Sequence, residues 1–208
     1  MYQDVLIPTD GSDGTRQSIA HGLTIADRFD ARVHALSVVP EGPLGTLESE
    51  EATPTAHRAV EHVATRAERT GLDAVTNVGH GVPHEEILAY ADEHEIDMIV
   101  MGTQGRTGLD RVLVGSVTER VVRMAEIPIV TIRQTDELEI GDAGDAERLA
   151  RDALADEVTD PDAVPLEDSY RTSATWTFLF AVDGEPTGVQ IDAVTGETRV
   201  VVDPPAGT

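Results

Sequence analysis

Short, almost wholly apolar runs alternate along this chain with longer segments that carry apolar residues on one helical face. The apolar runs are Val5-Leu6-Ile7-Pro8-Thr9, Arg32 to Val39, Ala74 to Gly79, Asp97 to Met101 and Ile127 to Ile132. Each has the length of a strand, and most lack the strict alternation of a sheet with one wet face. They are predicted as strands buried on both sides. Between them lie helical patterns. Gly14 to Phe29 places Ile19, Leu23 and Ala26 at i, i+4 and i+7, and Ala56 to Arg69 lines up Ala56, Ala59, Val60, Val63, Ala64 and Ala67. Pro83 opens a third helix running to about His94, and Ser116 to Ala125 forms a fourth. Glu41 to Thr55 is acidic, carries Gly42, Pro43, Gly45 and Pro54, and reads as a mobile loop. Strand and helix in regular alternation predict a doubly wound α/β domain, a five-stranded parallel sheet covered by helices, over residues 1–133.

From Gln134 the pattern lapses. Residues 134–145 are acidic and unpatterned and read as a linker. Ala146, Leu149, Ala150, Ala153 and Leu154 then outline a short amphipathic helix. Beyond Pro165 the period changes to two: Ala174, Trp176, Phe178, Phe180 and Val182 share one parity, and Asp183-Gly184 signals a hairpin. Val189 and Ile191 belong to the next strand, Thr195-Gly196 turns it, and Arg199 to Val202 returns. Residues 146–208 are therefore expected to form a small α+β appendage, a helix with a three-stranded antiparallel meander. At about 60 residues a lone core is marginal, so docking onto the first domain or onto a protein partner is expected. Nothing in this segment looks catalytic.

Charge changes the picture next. There are 39 acidic residues against 15 basic ones, a net charge of −24, and every basic residue is arginine. Such a field repels nucleic acid and anionic lipid, so neither is expected as a partner. No apolar run approaches the roughly 20 residues that span a bilayer, and no signal peptide is recognisable, which points to the cytoplasm. Cysteine is absent, which removes disulfides and thiol chemistry. The acidic surplus, the missing lysine, 3% aromatics and a core of small residues suggest a halophilic protein. In molar salt the screening length is about 3 Å, short enough to quench this self-repulsion.

The candidate chemistry lies after the fourth strand, in Met101-Gly102-Thr103-Gln104-Gly105-Arg106 and onward to Gly115-Ser116-Val117. Glycines let backbone N–H groups approach a ligand, and a helix start presents free N–H donors at the positive end of its dipole. Strand, glycine-rich loop and helix start describe a phosphate cradle. It is not a P-loop, because no Gly-Lys-Ser/Thr occurs, nor is it a Gly-x-Gly-x-x-Gly dinucleotide fingerprint. The turn Thr9-Asp10-Gly11-Ser12 after strand one is the other loop rich in site-forming residues, and it faces the cradle if strands one and four are neighbours. Asp10 has helix N-capping as its plainer role. Arg106 and Arg111 are the loop's basic residues, with Arg106 favoured as a phosphate partner and Arg111 as a solvated or salt-bridged side chain. His80 and His84 with Glu85 and Glu86 lack a third ligand at a familiar metal spacing, so no metal site is expected. Ser12, Ser116 and the histidines make no nucleophile–base pair, and no catalytic residue is assigned.

Three landmarks in order resemble the universal stress protein family: Pro8-Thr9-Asp10-Gly11-Ser12, the spacing Gly102-x2-Gly105-x9-Gly115-Ser116, and a closing Pro128-Ile129-Val130 strand. The resemblance covers about Tyr2 to Arg133. It implies a Rossmann-like, adenine nucleotide alpha hydrolase-like domain that dimerises through its last strand, Ile129 to Ile132, and in its ATP-binding branch holds the nucleotide on this loop. By that similarity Gly102 and Gly105 admit the phosphates, Gly115 and Ser116 donate from the helix start, and Asp10 faces the ribose and adenine edge. Pro8 and Thr9 line its side, Val38 contacts adenine, Met101 and Val117 complete the pocket, and Mg²⁺ accompanies the triphosphate. The segment Ile191-Asp192-Ala193-Val194-Thr195-Gly196-Glu197 resembles PepSY-type helix-and-hairpin modules. The expected function is a nucleotide-dependent stress-response module, probed against two others: a slow ATPase or nucleotidyl-transfer enzyme on the same frame, and an empty-pocket dimer acting through its tail.

If the acidic surface is adapted to strong salt, the unfolding midpoint should rise steeply between 50 mM and molar KCl. A thermal melt across that range checks it, and full stability at 50 mM would refute the halophilic reading.

Overall fold

Strand β1 (Asp4–Pro8) has its Val5, Leu6 and Ile7 wholly without exposed surface. It pairs in parallel with β2 (Arg32–Pro40), Val5 opposite Val33, and with β4 (Met98–Gly102), Val5 opposite Met98. With β3 (Ala74–Gly81) and β5 (Ile129–Ile132) outside them, the sheet order is β3-β2-β1-β4-β5. Four helices cover this sheet: α1 (Arg16–Phe29), α2 (Leu47–Arg69), α3 (Pro83–Glu93) and α4 (Ser116–Met124). Neighbours along β1 point to opposite faces. Val5 and Ile7 therefore join Ile19 and Leu23 of α1 and Val60 and Val63 of α2, whereas Leu6 joins Ile87 of α3 and Val121 of α4. Burying a side chain of this size contributes about 1.5–3 kcal/mol, so β1 is stabilised from both sides at once. Helix α1 lies so near the sheet that a Cβ at Gly22 would come within 2.6 Å of Ile7 Cδ1.

This is a computed structural model describing residues 2–40, 47–103, 115–133, 138–155 and 157–202. The chain divides into two compact units, Met1–Gln134 and Thr135–Thr208. Among the described residues no helix is long and apolar enough to cross a membrane.

The first unit departs from expectation at α2, which begins at Leu47 and not at Ala56. Its first two turns occupy part of the stretch read as a mobile loop, with Pro54 inside the helix. Proline and the acidic run masked a pattern that was present: Ala52 precedes Ala56 by one helical step, so the buried face continues backwards. Helix α1 in turn is preceded by a 3-10 turn, Asp13–Thr15, which occupies part of the predicted first helix.

In the second unit, α5 (Ala143–Leu154) starts within the stretch read as a linker. Asp142 caps it, its Oδ1 accepting from the amides of Gly144 at 2.9 Å and Asp145 at 3.3 Å. The helix packs Ala146, Ala150 and Leu154 against Phe178, Phe180, Val189 and Ile191 of an antiparallel sheet. That sheet has four strands, not three: β6 (Leu166–Thr172), β7 (Thr175–Val182), β8 (Glu185–Asp192) and β9 (Thr198–Val202). The unexpected strand β6 lies at an edge, is broken by an irregularity between Leu166 and Asp168, and carries few apolar side chains. Its turn into β7 also gave no signal. Ser173 and Ala174 both take positive φ, 48° and 63°, in a turn where glycine or asparagine is usual. Ala174 thus belongs to the turn and not to the strand where its parity had placed it. Arg151 of α5 ties this unit together: it pairs with Glu147, donates to the carbonyls of Pro161 and Val164, and lies 5.2 Å over the Phe180 ring.

A polar group is buried in the first unit at the opposite ends of the strands from the β1 and β4 termini. His34, 4% exposed, has Nε2 3.0 Å from Asp4 Oδ1 and Nδ1 3.0 Å from the Tyr90 hydroxyl. A carboxylate only accepts, so Nε2 carries the proton and Nδ1 accepts from Tyr90. His94 stacks on Tyr90 at 3.8 Å. Burial is the largest influence on His34 and holds it below its ordinary 6.5, against the opposing pull of Asp4. Asp97 is also held low, chiefly by the amide of Gln3, which donates to it at 2.6 Å.

These two groups separate in pH. The unfolded chain takes up a proton at His34 first, so stability is full above about pH 6.5 and falls as the pH drops through the lower folded value. The loss tied to Asp97 begins only near the ordinary carboxylate range. Chemical denaturation from about pH 8 to pH 5 should show the first loss, and H34Q should flatten that slope while costing about 1–3 kcal/mol at pH 8.

Candidate functional site

Because β1 and β4 are neighbours, their carboxyl ends open side by side where the strand order reverses. A cleft of about 370 Å³ lies there. Pro8, Thr9 and Asp10 line one side, Met101, Gly102, Gly115, Ser116 and Val117 the other, and Val38 enters from the end of β2. The structure therefore brings together all the sequence-predicted site residues that it describes. Gly105 and Arg106 lie outside the described residues, as does Arg111.

Each side is built by local hydrogen bonding. After β1 the Thr9 amide donates to the Leu36 carbonyl at 2.9 Å, which holds the turn against β2. The Thr9 and Thr15 hydroxyls meet at 3.1 Å, and the Gly11 amide donates to Thr9 Oγ1. Asp10 Oδ1 accepts from the amide of Ser12 at 3.0 Å and from its hydroxyl at 2.6 Å. Asp10 thus closes an Asx turn and is not the N-cap of α1, which is Thr15. The turn presents a half-buried carboxylate to the cleft.

The opposite side is the start of α4. Its N-cap is Gly115, which has no side chain to accept from the first turn. The Gly115 amide is spent on the Thr103 carbonyl at 2.7 Å, and the first intrahelical bond runs from the Glu119 amide to the Gly115 carbonyl. The amides of Ser116, Val117 and Thr118 are the first-turn donors that an α-helix cannot satisfy from within. They lie at the positive end of the dipole and beside the cleft, where an anion is favoured. A side chain at the cap would be crowded, since an added Cβ would sit 3.3 Å from the Thr103 carbonyl oxygen.

The remaining wall is apolar. Leu36, Ala52, Ala56 and Ile87 line it, none of them named as a site residue from the sequence. Ala52 and Ala56 belong to the turns of α2 that were read as loop or credited only to the core. Thr118, also unanticipated, donates its hydroxyl to the Gly102 carbonyl at 2.8 Å and is buried. Among the described residues Asp10 is the one charged side chain of the lining, and no group of three His, Cys, Asp or Glu stands where a metal ion could be held. An apolar wall, the Asp10 carboxylate and the first-turn amides of α4 thus border a single cleft, a setting suited to a ligand with an apolar part and an anionic part.

Comparison with known proteins agrees in extent. The model of the universal stress protein family matches residues 1–133. A universal stress protein of Methanocaldococcus jannaschii is 39% identical over 142 residues, covering 64% of this chain and 84% of that protein. The structure of a universal stress protein from Lactobacillus plantarum superimposes with a TM-score of 0.57 at 32% identity, over 64% of this chain and 98% of that one. A universal stress protein from Archaeoglobus fulgidus, solved in complex with dAMP, shares the fold at 19% identity and a TM-score of 0.51, over 63% of this chain and 98% of that one.

Proposed function

The chain belongs to the universal stress protein family, and from that premise we propose that it is an ATP-binding member, a nucleotide-dependent signalling module of the stress response. The observation that carries this reading is the meeting, in one cleft, of an apolar slot, the Asp10 turn and the glycine-capped start of α4. Adenine fills the slot beside Val38, Leu36 and Ile87, the ribose faces Asp10, and the phosphates lie on Gly102, Gly115 and the amides of Ser116 and Val117. Gly105 and Arg106 belong to the same cradle in this reading. The dAMP complex of the Archaeoglobus fulgidus protein supports it as a case of this fold accepting an adenine nucleotide. Mg²⁺ enters on the triphosphate oxygens, since the described residues offer no metal cluster of their own. Occupancy is the signal, with hydrolysis slow at most, in the cytoplasm of a halophilic cell.

The same reading makes the protein a homodimer. Strand β5 lies at a sheet edge, with Ile129, Val130 and Ile132 only half-buried. Next to it in sequence, Val122 and Met124 of α4 are 49% and 55% exposed. An apolar edge of this kind is normally covered by pairing. The second unit, with its helix-on-sheet build and PepSY-type resemblance, is then the part that meets a protein partner.

Mass spectrometry of small molecules released from freshly purified protein should find an adenine nucleotide, or uptake after ATP is added. G115V should weaken ATP by more than about 10-fold in calorimetry, because its side chain meets the Thr103 carbonyl and fills the cradle. No nucleotide under either condition would leave an empty-pocket dimer acting through its tail, and rapid multiple turnover would make the protein an enzyme. I129E should be monomeric by light scattering, and a dimer there would move the interface elsewhere.

A further inference from the structure

The start of α4 must be held at a fixed distance from the end of β4 for its free amides to face one point in the cleft. Among the described residues, two hydrogen bonds do this. The Gly115 amide reaches the Thr103 carbonyl at 2.7 Å, and the Thr118 hydroxyl reaches the Gly102 carbonyl at 2.8 Å. The first is set by the backbone. The second depends on a side chain that is 4% exposed, and its acceptor lies beyond Ile99, the last residue of β4 in register with β1. There the sheet ladder toward β1 has ended, and Thr118 takes its place as donor to the Gly102 carbonyl. Serine, threonine and valine are close in size at this position, but only the first two donate.

We propose that Thr118 is a positioning residue for the anion end of the cleft: its hydroxyl staples the first turn of α4 to the end of β4 and so aims the amides of Ser116 and Val117. This rests on the nucleotide-binding reading, and it assigns a division of labour within it. The staple serves the phosphate side alone, since the apolar slot and the Asp10 turn are held by β1, β2, α2 and α3.

The test uses the full chain as T118V and T118S, with ATP and adenosine binding by calorimetry and amide exchange by mass spectrometry. T118V should lose about 10-fold in ATP affinity and less than about 2-fold for adenosine, while T118S stays within about 3-fold for both. Exchange at the Gly115 and Glu119 amides should quicken by about 10-fold or more in T118V and stay near wild type in T118S. Unchanged ATP affinity in T118V, equal losses for both ligands, or a T118S as impaired as T118V would each overturn the proposal. If the wild-type chain binds no ATP, the functional reading falls by itself. The exchange data then decide: raised exchange in T118V upholds the staple, and unchanged exchange removes it.

Discussion

Parallel pairing of β1 with both β2 and β4 is the constraint from which the rest of the first unit follows. A strand with parallel partners on both sides has helices on both of its faces, which is why Val5, Leu6 and Ile7 are all fully buried. The same placement makes the chain leave β1 toward one side of the sheet and return to its other side at β4. The loops after these two strands must diverge to opposite faces, and a crevice opens between them. The cleft is thus a by-product of strand order before any residue within it is chosen.

What the residues add is polarity along that crevice. One wall is made of Leu36, Val38 and Ile87, and the far end is a helix start whose N-cap has no side chain. A lysine is the common way to hold a phosphate, but this chain has none, and its net charge is −24. At the start of α4 the donors beside the cleft are backbone amides, and the Gly115 amide and the Thr118 hydroxyl tie that turn to the Thr103 and Gly102 carbonyls. A charge-assisted contact at the surface would weaken as salt rises; a dipole with oriented donors in a cleft is screened far less.

The fold of the first unit was legible because its strands are apolar on both faces and its helices keep one buried stripe. The site was legible where glycine and Asp10 punctuate strand ends. The misses share a cause, side chains whose role is set by neighbours distant in sequence. Ala52 reads as loop because Pro54 follows it, yet α2 runs through both and Ala52 lines the cleft. Thr118 looks like any helix residue until the ladder toward β1 is seen to end short of Gly102. In the second unit β6 was invisible because its sequence is polar and its turn uses Ser173 and Ala174 at positive φ, a strain that no propensity rule anticipates.

The central position of β1 also has a consequence for the order in which the molecule is made. Pro8, Thr9 and Asp10 are made before the residues that face them across the cleft, which come about a hundred positions later in synthesis, at roughly 5–20 residues per second. For several seconds the nascent chain owns half a pocket. β1 can pair with β2 early, but its other edge stays open until β4 emerges, and a chain cut short before Ser116 lacks part of one side of the cleft. Such a fragment holds only the wall that Pro8, Thr9, Asp10 and Val38 make.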